Sequence, residues 1–119
     1  MNEEVREEGR IDYIEIPVTD LEKTRAFFES LFGWTFQEWG PDYFSFKDGR
    51  LDGGLRRSEE PAPATGVLLV FFSEDLERDL GRAKELGATI SQDIFEFPGG
   101  RRFHFTEPSG TEFAMWSFT

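Results

Sequence analysis

The chain has 119 residues, an aromatic-rich composition with 14 Phe, and a formal net charge of -11. This length suits one compact domain with a substantial core, but not two independent domains. The negative charge opposes contact with nucleic-acid phosphates and anionic lipids, so neither nucleic acid nor a membrane surface is an expected partner. Because the chain has no cysteine, it has no disulfide, thiolate nucleophile or cysteine-based metal site.

The N-terminal stretch is acidic and polar, unlike a signal or transit peptide. We therefore expect residues 1–9 to form a flexible acidic tail ahead of a single domain. No apolar run approaches the length of a membrane span. Together these features predict a cytoplasmic protein.

The first elements in chain order are predicted to be a strand, a helix and three short strands. Residues 11–18 alternate between apolar and polar side chains, as a strand with one apolar face does. The sequence from Thr19 to Glu22 is typical of a capping box, and the apolar side chains that follow at helical spacing stop at Gly33. Turn sequences then separate three short strands, at residues 34–39, 43–47 and 51–57.

A polar, proline-rich stretch at residues 58–66 has no apolar period and predicts a linker. A second unit opens at about Val67 with an apolar strand that runs to Phe72. Ser73 is predicted to cap the helix that follows, and Gly87 is predicted to end it. Three further strands are predicted, at residues 89–97, 101–106 and 112–118.

The chain repeats itself with a period of about 55 residues. The helix-opening sequence Asp20-Leu-Glu returns as Asp75-Leu-Glu, and a glycine follows both helices. Two similar β-α-β-β-β units are therefore predicted: unit one at residues 10–57 and unit two at residues 67–118. Because the chain is too short for two separate cores, the units are expected to share a core or to pair their sheets.

Two such units, together with the hairpin sequence Phe-Thr-Glu-Pro-Ser-Gly at residues 105–110, resemble the vicinal oxygen chelate superfamily and in particular its glyoxalase and bleomycin-resistance branch. The resemblance covers residues 10–118 as one glyoxalase-like domain. It implies an α+β fold in which the tandem units form a curved mixed sheet around a cavity, with the helices on the outer face. It also implies a homodimer. The superfamily includes isomerases, dioxygenases, antibiotic-modifying enzymes and binding proteins, so function has to be argued from the site.

Metal-dependent members of this superfamily hold an ion through inward-facing His and Glu side chains on the first and last strands of each unit. Carried over by the resemblance, the four ligand positions fall on Tyr13, Leu68, Gly53 and Ala114. A divalent ion needs three or four nitrogen or oxygen donors, and Tyr13 alone does not supply them. We expect no family-type metal and no cofactor. A slipped register would instead bring Glu15 or Glu112 inward.

His104 is the only histidine, and its strand alternates between Phe and polar side chains, as does the aligned strand at residues 43–47. Both polar faces are expected to line the cavity while the Phe faces pack under the helices. An imidazole there can hydrogen-bond a ligand or act as acid or base, with Glu15 and Arg102 as its expected neighbours. The predicted ligand-binding residues are Tyr13, Glu15, Tyr43, Ser45, Arg102, His104 and Trp116.

Three further features of the sequence are relevant to the cavity. Trp34 follows the helix stop and is predicted to lie in the core. Trp39 and Tyr43 flank a turn and are predicted either to form a lid or simply to pack. The pair Gly53-Gly54 in a strand indicates either the close approach of another group or a bulge.

Our leading hypothesis is a metal-free glyoxalase-like protein that binds a small organic molecule, aromatic or amphipathic, in this cavity. The second is a lyase, isomerase or dioxygenase-type enzyme, either with a shifted metal-ligand set or with His104 as catalytic acid or base supported by Glu15. The third is a structural or regulatory dimer without a small ligand. The sequence leaves open whether the units pair within one chain or across a dimer.

Overall fold

A computed structural model of the chain describes residue 8, residues 13–61 and residues 67–119. Apart from residue 8, the predicted acidic tail lies outside the described residues, and so do residues 62–66 of the predicted linker. The elements in chain order are β1 (Tyr13–Val18), α1 (Leu21–Phe32), β2 (Thr35–Glu38), β3 (Tyr43–Lys47), β4 (Asp52–Arg57), β5 (Val70–Phe72), α2 (Leu76–Glu85), β6 (Thr89–Phe97), β7 (Gly100–Thr106) and β8 (Glu112–Ser117).

The described elements form two units, each with the order β-α-β-β-β, as predicted. Each unit builds its own four-stranded sheet, in the order β1-β4-β3-β2 for unit one and β5-β8-β7-β6 for unit two. The first strand of each unit pairs in parallel with the last, and the other pairs are antiparallel. The α+β class and the tandem arrangement are therefore confirmed.

The N-cap of helix α1 lies one residue after the predicted one. Asp20, rather than Thr19, is the N-cap: its backbone is extended and its carboxylate accepts a hydrogen bond from the Lys23 amide at 3.0 Å. Gly33 ends the helix in the left-handed conformation with φ 76°, and its amide donates to the Glu29 carbonyl. This is the glycine stop that the sequence predicted.

Helix α2 repeats this arrangement. Asp75 is its N-cap and accepts from the Arg78 amide at 3.1 Å, so the prediction that Ser73 caps this helix is wrong. The Ser73 hydroxyl instead donates to the buried Asp79 carboxylate at 2.6 Å. Gly87, with φ 102°, follows the helix as predicted. Within the described part of the chain, no helix is long and apolar enough to cross a membrane.

The two units share one core, which is built around α1. Phe28 stacks on Trp34, with 4.5 Å between ring centroids, and meets Phe113 of β8 edge to face at 5.3 Å. Its neighbour Phe27 lies 5.9 Å from Phe105 of β7. The helix of unit one therefore packs on the sheet of unit two. The prediction that Trp34 is a core residue is confirmed.

A buried carboxylate also joins the two units. Glu107, in the turn between β7 and β8, is 2% exposed. Its two oxygens accept hydrogen bonds from the hydroxyl of Thr24 in α1 at 2.6 Å, from the amide and hydroxyl of Ser109 at 2.9 and 2.7 Å, and from the amide of Thr111 at 2.9 Å. The acidic residue of the predicted hairpin sequence thus shapes its turn and fixes that turn to α1.

The glycine pair in β4 allows close packing rather than a bulge. The pairing of β4 with both neighbouring strands runs without interruption through these residues, so the bulge alternative is wrong. A Cβ atom at Gly54 would collide with the ring and hydroxyl of Tyr43, and one at Gly53 would collide with the Ile14 carbonyl and the Phe46 ring. These close approaches explain why glycine occupies both positions.

Candidate functional site

Each sheet has one apolar face in the shared core and one polar face that points away from it. Side chains alternate along a strand, so residues that are opposite one another in the register lie on the same face. In unit one the buried face includes Ile16, Phe44, Phe46 and Leu55. The unit-one polar face comprises Tyr13, Glu15, Gln37, Tyr43, Ser45, Lys47, Asp52 and Arg56. The prediction that the Phe residues of this strand pair face the core is therefore confirmed for Phe44 and Phe46.

Two tyrosines lie together on the unit-one polar face. The hydroxyls of Tyr13 and Tyr43 are 2.7 Å apart, and Tyr13 is 47% exposed. Burial raises the pKa of the Tyr43 hydroxyl, and its hydrogen bonds with Tyr13 and Glu15 raise this pKa further. Glu15 also lies 3.3 Å from Nε of Arg56. The carboxylate of Glu15 therefore has its ion-pair partner on its own sheet.

The unit-one polar face contains a groove of about 490 Å³. Trp39, which is 64% exposed, forms part of its wall, and its indole nitrogen donates to the Ser45 hydroxyl at 2.9 Å. An ion pair between Lys47 and Asp52, at 3.2 Å, lies at the same groove. Three predicted ligand-binding residues line it: Tyr13, Tyr43 and Ser45.

On unit two, the outward-facing residues form the unit-two polar face: Phe72, Gln92, Phe95, Phe97, Arg102, His104, Glu112 and Trp116. Nδ1 of His104 lies 3.3 Å from Oε2 of Glu112, and the Ser91 hydroxyl donates to the same oxygen at 3.1 Å. Only 11% of the His104 side chain is exposed, and its Nε2 has no hydrogen-bond partner among the described residues. Within one chain, Glu112 is the carboxylate beside His104, and the support expected from Glu15 stays a prediction.

The Arg102 guanidinium lies against aromatic rings rather than against a carboxylate. Its central carbon is 5.3 Å from the ring centroid of Phe95 and 5.7 Å from that of Phe97, both within range of a cation–π interaction. Its Nε is buried without a hydrogen-bond partner among the described residues. Arg102 was predicted as a neighbour of His104, and the two side chains lie two residues apart on the same face of β7.

Trp116 extends this aromatic surface. Its ring lies 5.3 Å from Phe72, 4.7 Å from Phe118 and 6.3 Å from Phe97, measured between centroids. Trp116 was among the predicted ligand-binding residues, whereas Phe72, Phe95 and Phe97 were not. The i, i+2 spacing of Phe95 and Phe97 was an available signal for two rings on one face of a strand.

The predicted ligand-binding residues divide between the two polar faces. Tyr13, Glu15, Tyr43 and Ser45 belong to unit one, whereas Arg102, His104 and Trp116 belong to unit two. Among the described residues, no hydrogen bond, ion pair or aromatic contact joins one polar face to the other. Their meeting in one pocket stays a prediction.

The strand register corrects one predicted ligand position. Glu15 is opposite Gly54 in unit one, and Val70, at the equivalent position of the repeat, is opposite Ala114 in unit two. The counterpart of Ala114 is therefore Gly54, not Gly53, and neither has an acidic side chain. Among the described residues, no three His, Cys, Asp or Glu side chains are grouped so that they could hold an ion. This donor set does not fit a family-type metal.

Comparison with solved structures identifies similar folds across nearly the whole chain. A glyoxalase/bleomycin resistance protein/dioxygenase family enzyme from Burkholderia phytofirmans PsJN is 18% identical, with a TM-score of 0.77 over 92% of this chain and 100% of that one. The fosfomycin resistance protein FosX from Listeria monocytogenes, in complex with Mn(II) and sulfate, is 19% identical, with a TM-score of 0.78 over 93% and 91%. Lactoylglutathione lyase from Agrobacterium tumefaciens is 19% identical, with a TM-score of 0.71 over 94% and 96%. At these identities the likeness shows the fold alone.

A relative is also found by sequence. A glyoxylase-like domain-containing protein from Didymella fabae is 26% identical over 114 residues, covering 83% of this chain and 88% of the relative. Residues 10–115 match the sequence model of the Glyoxalase/Bleomycin resistance protein/Dioxygenase superfamily. This match spans most of the chain, and the tandem β-α-β-β-β fold agrees with it. The chain therefore belongs to the Glyoxalase/Bleomycin resistance protein/Dioxygenase superfamily.

Proposed function

We propose that this protein binds a small organic molecule on the unit-two polar face, without a metal ion. The observation that carries the proposal is the pair of buried nitrogen atoms, Nε of Arg102 and Nε2 of His104, that lack partners among the described residues. Buried polar atoms are nearly always hydrogen-bonded, and exceptions concentrate where a ligand or a reaction uses them. The surrounding rings of Phe72, Phe97 and Trp116 supply the apolar contact area that ligand sites typically have.

The site that we propose is completed by a second copy of the chain. Both polar faces point away from the shared core, so neither has an opposing wall formed by the described residues. Exposed apolar side chains lie on β5, an edge strand of the unit-two sheet. They include Val70 and Phe72. Apolar surface of this kind favours a protein contact. A homodimer in which the unit-one groove of one chain faces unit two of its partner would bring together the seven predicted ligand-binding residues.

The arrangement of His104 and Glu112 favours one alternative function, that of an acid–base enzyme. When Nδ1–H of His104 donates to the Glu112 carboxylate, Nε2 carries a lone pair and is available as a base. A base oriented in this way suits the removal of a proton from a bound substrate, the step that a lyase or isomerase needs. The unit-two polar face would then both bind the substrate and catalyse its reaction.

A ligand screen followed by NMR tests the proposal. His104 is the only histidine, so tag-free protein gives a single imidazole spin system. We expect a compound that raises the melting temperature to shift these imidazole resonances, because a ligand of the folded state stabilises it. If a diverse screen finds no compound that does both, the proposal is wrong and a structural or regulatory dimer is favoured. Turnover that Glu112→Gln abolishes while binding persists would establish the enzyme.

A further inference from the structure

A single ring lies beside both side chains that have an unpartnered nitrogen atom on the unit-two polar face. The centroid of Phe95 lies 5.3 Å from the guanidinium carbon of Arg102 and 6.0 Å from the centroid of the His104 ring. In the strand register, Phe95 is directly opposite Arg102. Moving this one side chain would therefore open space beside both Arg102 and His104.

Among the described residues Arg102 has no carboxylate partner, although the sequence is rich in acidic residues. The sequence has 24 Asp and Glu against 13 Lys and Arg. Five other described arginines lie within ion-pair distance of a described acidic side chain: Arg25, Arg56, Arg57, Arg78 and Arg101. No such pair includes Arg102 among the described residues, and its guanidinium contacts two phenylalanine rings instead. A half-buried guanidinium kept in this state is available to an anion from outside the chain.

Phe95 belongs to the least regular strand of its sheet. Strand β6 is an outer strand, and its pairing with β7 is interrupted between Ile90 and Gln92 and again between Gln92 and Phe95. Interrupted pairing leaves fewer interstrand hydrogen bonds to hold this segment in place. The Phe95 ring is thus attached to an edge strand directly next to an interruption in its pairing.

We propose that Phe95 is a gate over an anion subsite, and that the ligand of this face is an aromatic carboxylate. When the gate opens, the ring of the ligand occupies the space that Phe95 leaves beside Phe97. A carboxylate oxygen of the ligand then accepts a hydrogen bond from Nε–H of Arg102. The inference rests on the proposed function, because it names the class of ligand for the same face.

A carboxylate suits this subsite better than a neutral polar group does. The guanidinium has only donors and a permanent positive charge, and its hydrogen bonds to a carboxylate are both charge-assisted and planar. An attached ring adds the aromatic contacts that the face already offers to Phe95. Both parts of the ligand therefore correspond to side chains observed on the face.

Paired probes test the anion subsite. We expect full-length, tag-free protein to bind benzoate at least about tenfold more tightly than benzamide, because a charge-assisted hydrogen bond is worth more than a neutral one. The titration is followed by the imidazole resonances of His104. Arg102→Gln should remove the preference, whereas Arg50→Gln, at an exposed arginine in the turn before β4, should keep it. Equal affinity for the two probes, or a preference that survives Arg102→Gln, would overturn the carboxylate class.

The gate has its own test. Phe95→Ala and the milder Phe95→Leu should bind benzoate about three- to tenfold more tightly than the natural chain, because the closed state no longer competes with the ligand. Phe36→Ala is the matched control, since Phe36 lies on β2, the corresponding outer strand of unit one, and packs against Trp34 and Phe46. It should leave the affinity unchanged. Unchanged or weaker binding in both Phe95 variants would show that Phe95 only packs.

Failure of this inference is distinguishable from failure of the proposed function. If uncharged compounds from the screen shift the His104 resonances as strongly as benzoate does, the carboxylate class is wrong and the binding face remains. If no compound shifts them, the binding face itself is wrong.

Discussion

Glu107 is a buried acidic residue whose charge is stabilised by hydrogen bonds rather than by a cation. Its carboxylate accepts from Thr24, Ser109 and Thr111, and no ion pair among the described residues includes it. Hydrogen bonds to an ionised acceptor are stronger than neutral ones. Because one of these bonds reaches α1, the side chain stabilises the contact between units as well as its own turn.

Removing this carboxylate should therefore be costly. We expect Glu107→Ala to lower the free energy of unfolding by about 3 kcal/mol, because several buried donors lose their acceptor at once. Urea denaturation measures the change. Glu59→Ala, at an exposed residue of the loop after β4, is the control and should change stability by no more than about 0.5 kcal/mol. A loss at Glu107 as small as the control would contradict the structural role assigned to it.

Tyr43 should be unusually hard to ionise. Burial is the main cause of its raised pKa, and the hydrogen bonds with Tyr13 and Glu15 add to it. An ordinary tyrosine ionises at about pH 10, and Tyr43 does so in the unfolded chain. Its contribution to stability is therefore complete below about pH 10 and is lost as the pH rises further. Spectroscopic titration of tyrosinate should show a late component that Tyr43→Phe lacks and that Tyr13→Phe moves to lower pH. A titration unchanged by Tyr43→Phe would contradict the raised pKa of Tyr43.

At the scale of elements, β4 shows how a strand accommodates the side chain of its neighbour. Gly54 lies beneath the ring of Tyr43, so Gly54→Ala should destabilise the protein by about 1–3 kcal/mol through overpacking. Without that clash, replacing a strand glycine by alanine would stabilise it. The sign of the change in the free energy of unfolding, measured by urea denaturation, therefore shows whether the clash with Tyr43 is present. Gly81→Ala in α2, where nothing lies within 4 Å of the added Cβ, should stabilise by up to about 1 kcal/mol.

The order of elements could be predicted from the sequence because alternation and helix-ending glycines are local signals. The helix caps were missed by one residue at Asp20 and by two at Asp75, since Thr19 and Ser73 are also good caps and only the backbone conformation distinguishes them. Local patterns of this kind predict where a helix lies but not which of two nearby polar residues caps it.

The candidate site was predicted only in part, because its pairings depend on register. Alternation within β3 and β7 was enough to identify the outward side chains, including His104. Its contact with Glu112 requires the pairing of β7 with β8, which no single strand reveals. The spacing of Phe95 and Phe97 shows that the two rings share a face, but not which one. That depends on the irregular pairing of β6, which puts Phe95 on the same face as Gln92, three residues away, where a regular strand would put them on opposite faces.

At the scale of the whole molecule, the shared core separates the two polar faces of one chain. A site that uses both faces therefore needs a second chain, and the dimer that we propose supplies it. In a two-fold dimer each of the two sites would combine unit one of one chain with unit two of the other.

Two variants that each lose ligand binding should recover part of it when they are mixed. Tyr43→Ala damages only the unit-one face and Arg102→Gln only the unit-two face, so each pure variant should lose binding of the compound that the screen selects. Random exchange makes about half of the dimers mixed, and each mixed dimer has one intact site of two. About a quarter of the natural binding capacity should therefore return, with light scattering showing twice the chain mass throughout. If both halves of the site came from the same chain, mixing would restore nothing.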